Sequence, residues 1–237
     1  MSKQIVVVGG GAAGMMAAIT AAENGAAVTL LEPNERLGKK LNITGKGRCN
    51  VTNAADMEEF QRNIFRNPRF MYASFALLDN RGVMDLMEAL GVPLKVERGN
   101  RVFPVSDKAS DVIAALRRAL EREGVEVRLN TRVASVVSAD GVCRGVALES
   151  GEALTADAVV LATGGFSYPA TGSTGDGHRM AAETGHSLAG ALPALVPIET
   201  VAEVSARLIV NTASMKLYKN QINDFISKCE KELGGKA

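Results

Sequence analysis

The residues Gly9-Gly10-Gly11-Ala12-Ala13-Gly14 fit the pattern G-x-G-x-x-G, and an acidic residue, Glu32, stands about 20 positions further on. Each position has a physical task if the pattern holds a dinucleotide. Gly9 permits a tight turn, Gly11 lets a diphosphate approach the backbone, and Gly14 lets helix and strand pack closely. The helix that opens at Ala12 and Ala13 supplies N–H donors and positive potential to the diphosphate. Glu32 can accept hydrogen bonds from both adenosine ribose hydroxyls, and its charge disfavours a 2′-phosphate there.

Two further stretches carry reactive residue types. "KKLNITGKGRCNVTN", Lys39 to Asn53, combines the features of three motifs. A P-loop needs glycine five positions before Gly45 and Ser or Thr after Lys46, but Lys40 and Gly47 occupy those places. A dithiol relay needs a cysteine close to Cys49, and the position five further on holds Ala54. Asn42-Ile43-Thr44 and Asn50-Val51-Thr52 are sequons only on a secretory route. "TGGFSYPATGSTGDGHRMAAETGH", from Thr163, offers bare backbone at Gly164 and Gly165 for close approach to a ligand. In it, Asp176 or Thr174 is placed to cap a helix beginning near Gly177. His178 and His186 are the two histidines, and His178 is a candidate proton donor. No Cys/His spacing suits a metal, so no metal site is expected.

The elements that must position these residues follow from patterning. Ile5 to Val8 is a continuous apolar run, as in a parallel strand covered on both faces. Ala12 to Glu23 is helix-favouring and stops at Gly25, and Val28 to Leu31 is the next strand. Residues 56–90 read as helical, broken near Pro68 and Gly82 and ended by Gly91. "KVERGNRVFPV" reads as a hairpin turning at Gly99-Asn100. The following amphipathic helix has Val112, Ala115, Leu116, Ala119 and Leu120 as its stripe, with Ser or Asp at its start and Gly124 at its end. A β-meander turns at Ala139-Asp140-Gly141 and Ser150-Gly151, and Ala158 to Ala162 forms a last apolar strand. The predicted class is α/β: a Rossmann-like dinucleotide-binding fold with a parallel sheet and an antiparallel β-meander.

Composition narrows the function classes. The 27 basic and 26 acidic residues nearly balance, which gives no electrostatic case for nucleic acid or an anionic membrane. No apolar run approaches the roughly 20 residues that span a bilayer. Three scattered cysteines without a recognisable leader point to a reducing cytoplasm. Between FAD and NAD, the polar loop after the second strand and the "ATGG" return at Ala162–Gly165 after a meander favour FAD.

At this point the blocks "VVGGGAAGMMAA", "GKKLNITGKGRCNVTN", "RVFPVSDKA", "LATGGFSYPATGSTGDGHRMA" and "LPALVPI" together resemble a family of bacterial flavoproteins. That family includes bile-acid 3-oxo-Δ4,6 reductases of the BaiN-like type and proteins described as aminoacetone oxidases. The resemblance runs collinearly over residues 3–199. It implies non-covalent FAD, with hydride passing through the flavin between reduced nicotinamide, NAD(P)H, and a small organic substrate. It also implies that Lys40, Thr44, Gly45, Lys46, Gly47, Arg48, Cys49 and Asn50 line the flavin together with Thr163, Gly164 and Gly165. Lys46 and Arg48 are then candidates to stabilise reduced flavin, and Cys49 reads as a small packing residue.

Family members continue through an inserted substrate domain and return with a late strand. Residues after Val201 show no counterpart, so residues 1–199 read as the FAD-binding domain and 200–237 as an atypical or truncated tail. Tyr218, Ile222, Phe225, Ile226, Cys229 and Leu233 would share one helical face of that tail. A sheet lacking its last strand exposes an edge, which favours a homodimer. A non-catalytic dinucleotide-binding remnant and a simple NAD-binding protein are the alternative classes.

Overall fold

The chain opens with β1 (Gln4–Val8), α1 (Ala12–Glu23) and β2 (Ala27–Leu31). The structure, a computed structural model, describes residues 2–64 and 67–190. The expectations for 200–237, the domain boundary at 199 and the "LPALVPI" block lie outside the described residues. All described elements belong to one unit, Met1–Ala189.

After β2 a short 3-10 segment, Leu41–Gly47, leads to β3 (Thr52–Asn53) and α2 (Met57–Arg62). A second 3-10 turn at Pro68–Met71 precedes α3 (Tyr72–Leu77) and α4 (Asn80–Ala89). Next come β4 (Leu94–Glu97), β5 (Arg101–Pro104), α5 (Ala109–Arg122) and β6 (Glu126–Arg128). The meander β7 (Val133–Ala139), β8 (Val142–Leu148) and β9 (Ala153–Thr155) returns the chain to β10 (Ala158–Leu161). A 3-10 turn, Pro169–Thr171, and α6 (Asp176–Glu183) close the described part.

The central sheet has the order β10-β1-β2-β6 and every pair is parallel. Period-two alternation sends its side chains to two faces. Val7, Val28 and Leu30 face α1 and α5, joining Met15, Ile19, Leu116 and Leu120 in one core. Val6, Val8 and Leu31 face the meander, joining Val133, Val146, Leu148 and Met180 in a second core. This double cover explains why β1 is continuously apolar from Ile5 to Val8. The predicted α5 stripe is buried as expected. β10 is an edge of this sheet among the described residues. Antiparallel strands β3-β5-β4 form a separate small sheet, whose hairpin turns with Gly99 and Asn100 both at positive φ.

Three local expectations are corrected. The helical break falls at Leu78-Asp79, because the Asp79 side chain accepts from the Gly82 N–H and starts α4; Gly82 lies inside the helix. Neither Ser nor Asp caps α5. Lys108 occupies the cap position, and Asp107 is drawn instead to Lys95 and Arg48. At α6 neither Thr174 nor Asp176 caps by side chain: Thr163 Oγ1, from across the loop, accepts from the Gly177 N–H (3.0 Å).

Candidate functional site

The carboxyl ends of the parallel strands converge on a cleft of 540 Å³. That is the expected ligand edge of an open α/β sheet. Its floor is the turn from β1 into α1. Gly9 holds φ +108°, and a Cβ there would press on the Ala162 carbonyl, while a Cβ on Gly14 would collide with the Gly9 carbonyl oxygen. Both positions are therefore closed to larger residues, one by conformation and contact, the other by helix–strand contact. Gly11 faces open space.

The first bond of α1 runs from the Met15 N–H to the Gly11 carbonyl (2.9 Å). The N–H groups of Ala12, Ala13 and Gly14 precede it and have no intrahelical acceptor. No side chain caps this end and no acid stands in its first turn, so nothing on the helix competes for an anion.

Glu32 directly follows β2, with only 6% of its surface exposed. Its Oε2 accepts from the Gly10 N–H (2.6 Å), and its Oε1 accepts from the Asn34 N–H (2.9 Å) and from Asn34 Nδ2. The carboxylate is thus fixed at the cleft wall before any ligand arrives. Opposite, the wall from Thr163 to Asp176 is tied down by Lys40. Its Nζ donates to the Ser167 carbonyl (2.7 Å) and to the buried Ser173 hydroxyl (2.6 Å). Arg132, on the connector after β6, donates to Asp176 Oδ2 at 2.7 Å.

Of the residues expected to bind cofactor, Gly9, Gly11, Ala12, Ala13, Glu32, Lys40, Thr44, Thr163 and Gly164 line this cleft together. The rest are placed differently. Gly14 acts beneath the turn, through packing. Gly45 and Gly47 hold positive φ, and Gly45 packs on Phe103 and the Asn50 N–H. Lys46 is exposed, also at positive φ, with no hydrogen bond or ion pair among the described residues. Gly165 is not among the lining residues, and Asn50 is exposed on the loop.

Arg48 is spent elsewhere. Its guanidinium lies 4.0 Å from the Phe103 ring centroid and bonds Glu97 (2.9 Å) and Asp107 (3.3 Å). The hydrogen bond to Glu97, before any other influence, raises its pKa further. Cys49 is buried in the α1/α5 core with 1% exposure. Burial pushes its thiol pKa up, against a smaller lowering by a hydrogen bond to Thr44. Its packing role agrees with the sequence reading, and its place is the core rather than the cleft.

His178 stacks on Phe166 (centroids 4.7 Å apart) outside the cleft lining. Its Nδ1 is a buried atom without a hydrogen-bond partner among the described residues. His186 is exposed. Sequence reading missed Asn34, Lys39, Thr131–Val133 and Thr171–Ser173. The connector after β6 was findable in principle, since ligands collect at the carboxyl ends of parallel strands. The described residues contain no helix long and apolar enough to cross a membrane.

Residues 3–221 match the HI0933-like protein Rossmann domain. The chain is 36% identical over 187 residues to the 3-dehydro-bile acid delta(4,6)-reductase of Clostridium scindens, covering 75% of this chain and 42% of that protein. It is 28% identical over 178 residues to the ribosomal RNA dihydrouridine synthase of Escherichia coli, covering 75% and 43%. It thus spans less than half the length of these curated relatives. Among solved structures, the open conformation of a flavocytochrome c3 fumarate reductase shares 26% identity at a TM-score of 0.55, covering 78% of this chain and 41% of that one. Mycobacterium smegmatis Sdh1 shares the fold at a TM-score of 0.52, with 22% identity over 78% of this chain and 38% of that one. This match over most of the sequence, on a chain with a parallel sheet and a glycine turn under an uncapped helix, places it in the HI0933-like family of FAD-binding oxidoreductases.

Proposed function

We propose that this chain is the FAD-binding part of a flavoenzyme that reduces a carbon–carbon double bond conjugated to a carbonyl group. The observation that carries the reading is the meeting of the uncapped α1 N-terminus, Glu32 and the Thr163–Asp176 wall in one cleft. Residues at this cleft fit the cofactor's parts. Gly11, Ala12 and Ala13 would hold the diphosphate, Glu32 the adenosine ribose, and Thr44, Thr163 and Gly164 the part nearer the flavin. When bound, FAD would supply two-electron hydride transfer, with reduced nicotinamide as the donor in this reading.

Support for the bond type comes from the relatives' names. A delta(4,6)-reductase of a 3-dehydro bile acid, a dihydrouridine synthase and a fumarate reductase all act on a double bond conjugated to a carbonyl or carboxylate. The substrate in this proposal is a small molecule. The higher identity is to the bile-acid enzyme, and the balance of 27 basic against 26 acidic residues offers little attraction to RNA phosphates. A second reading, binding of FAD without turnover, rests on the same cleft and is separated from the first by nicotinamide-dependent bleaching.

The test is to reconstitute the purified protein with FAD, remove free cofactor, and add NADH or NADPH under anaerobic conditions. Retained yellow absorption that bleaches supports the enzyme. Retained colour that no nicotinamide bleaches favours the binding module. Colourless protein after reconstitution refutes both.

A further inference from the structure

The two walls of the cleft meet at one side-chain amide. Asn34 Nδ2 donates to Glu32 Oε1 and reaches the Thr171 carbonyl oxygen at 3.5 Å, while its Oδ1 accepts from Lys39 Nζ (3.0 Å). On the facing wall Gly172 has φ +98°, and a Cβ there would lie 3.0 Å from Asn34 Nδ2. The wall is bare where the amide passes. The backbone of Asn34 is held independently, since its carbonyl accepts from the Asn130 N–H (3.0 Å) and its N–H donates to Glu32 (2.9 Å).

We propose that Asn34 is a positioning residue that holds the Glu32 carboxylate and carries its occupancy to the wall at Thr171–Ser173. This rests on the adenosine assignment made above. A carboxylate offers about four acceptor positions. Three are filled here, by Gly10 N–H, Asn34 N–H and Asn34 Nδ2. A ribose presenting two hydroxyls needs one more position than stands open. The two backbone donors are fixed by the chain, so the side-chain amide is the donor that turns away. Its other acceptor is the Thr171 carbonyl, now at the long end of hydrogen-bond range. Ribose binding at Glu32 therefore draws the amide toward Thr171 and tightens the facing wall. Such coupling is reciprocal: a tightened wall favours ribose binding equally.

The test uses ADP, which carries the ribose hydroxyls and a diphosphate but no flavin. Calorimetric titration compares the wild-type protein with Asn34→Ala, Glu32→Ala and the double variant, and hydrogen exchange follows the peptide spanning Ser167–Ser173. Asn34→Ala has no amide to displace from Glu32 and none to bond Thr171, so it is expected to tighten ADP binding about fivefold, the difference between a charge-assisted and a neutral hydrogen bond. In the Glu32→Ala background the same change should have no further effect beyond about twofold. Saturating ADP should slow exchange at Ser167–Ser173 in wild type but not in Asn34→Ala, a difference that a merely structural role would not produce. Asn34→Leu, of similar size without the donor, should behave as Asn34→Ala does. Weaker ADP binding in Asn34→Ala, an effect of Asn34→Ala that persists in the Glu32→Ala background, or equal exchange protection in Asn34→Ala overturns the proposal. If Glu32→Ala itself leaves ADP binding unchanged, the adenosine assignment falls as well, so the two failures are distinguishable.

Discussion

Replacing Glu32 by alanine should separate a folding cost from a binding cost. In the free protein the carboxylate satisfies the buried Gly10 N–H at 2.6 Å, and the Asn34 N–H at 2.9 Å. Removing it leaves a buried donor without a partner, a cost of about 1–3 kcal/mol in stability. Binding loses up to two hydrogen bonds between ribose hydroxyls and a charged acceptor, each contributing about 1.5–3 kcal/mol. With one of these partly replaced by water, FAD affinity should fall about 10- to 100-fold, since 1.4 kcal/mol is a factor of ten. Glu32→Gln should rescue neither. It keeps one oxygen, and its NH₂ must face either Gly10 N–H or the Asn34 donors. Urea unfolding of the apoprotein measures the first cost, and calorimetric titration with FAD measures the second. A folded Glu32→Ala variant that binds FAD within about twofold of wild type would refute the placement of the ribose.

Gly14→Ala should destabilise the fold by about 1–3 kcal/mol and weaken FAD uptake, because its Cβ meets the Gly9 carbonyl and separates helix from strand. An unchanged urea midpoint would contradict that contact. Cys49 should resist iodoacetamide in the native protein and react on denaturation, whereas half-buried Cys143 reacts natively; peptide mass mapping reads both. Asp107 is held below the usual carboxylate range, chiefly by its hydrogen bond from Lys95. A depressed folded pKa means that its ion pairs contribute fully above about pH 4 and are lost as pH falls through the lower folded value. The stability gap between wild type and Asp107→Asn should therefore shrink on acidification, as urea midpoints at about pH 6 and pH 3 will show. Arg48→Ala should lower stability while leaving the bound flavin's absorption spectrum unchanged, since Arg48 is occupied by Glu97, Asp107 and Phe103.

The elements governed by period and turn chemistry were legible in the sequence. The apolar run of β1, the stripe of α5 and the Gly99-Asn100 turn each stand where patterning put them, because burial on a fixed face leaves few alternatives. The glycine turn and Glu32 were legible for the same reason: Gly9 and Gly14 are dictated by backbone contacts within one strand–turn–helix unit. Side chains whose roles depend on distant partners were not. Arg48 lies in the loop that the family resemblance set near the flavin, but its direction is set by Glu97 and Asp107, 49 and 59 positions away. Thr163 caps a helix 14 residues later, and Lys40 reaches a serine 133 residues away. Asn34 carried no signal, since only the closure of the two walls gives its amide three partners.

A crystal structure of the FAD-soaked protein tests the central claim most directly. The account predicts one cofactor in the cleft, its ribose hydroxyls within hydrogen-bond reach of Glu32 and its diphosphate against the N–H groups of Gly11, Ala12 and Ala13. FAD bound away from Glu32, or its diphosphate turned from the start of α1, would contradict it.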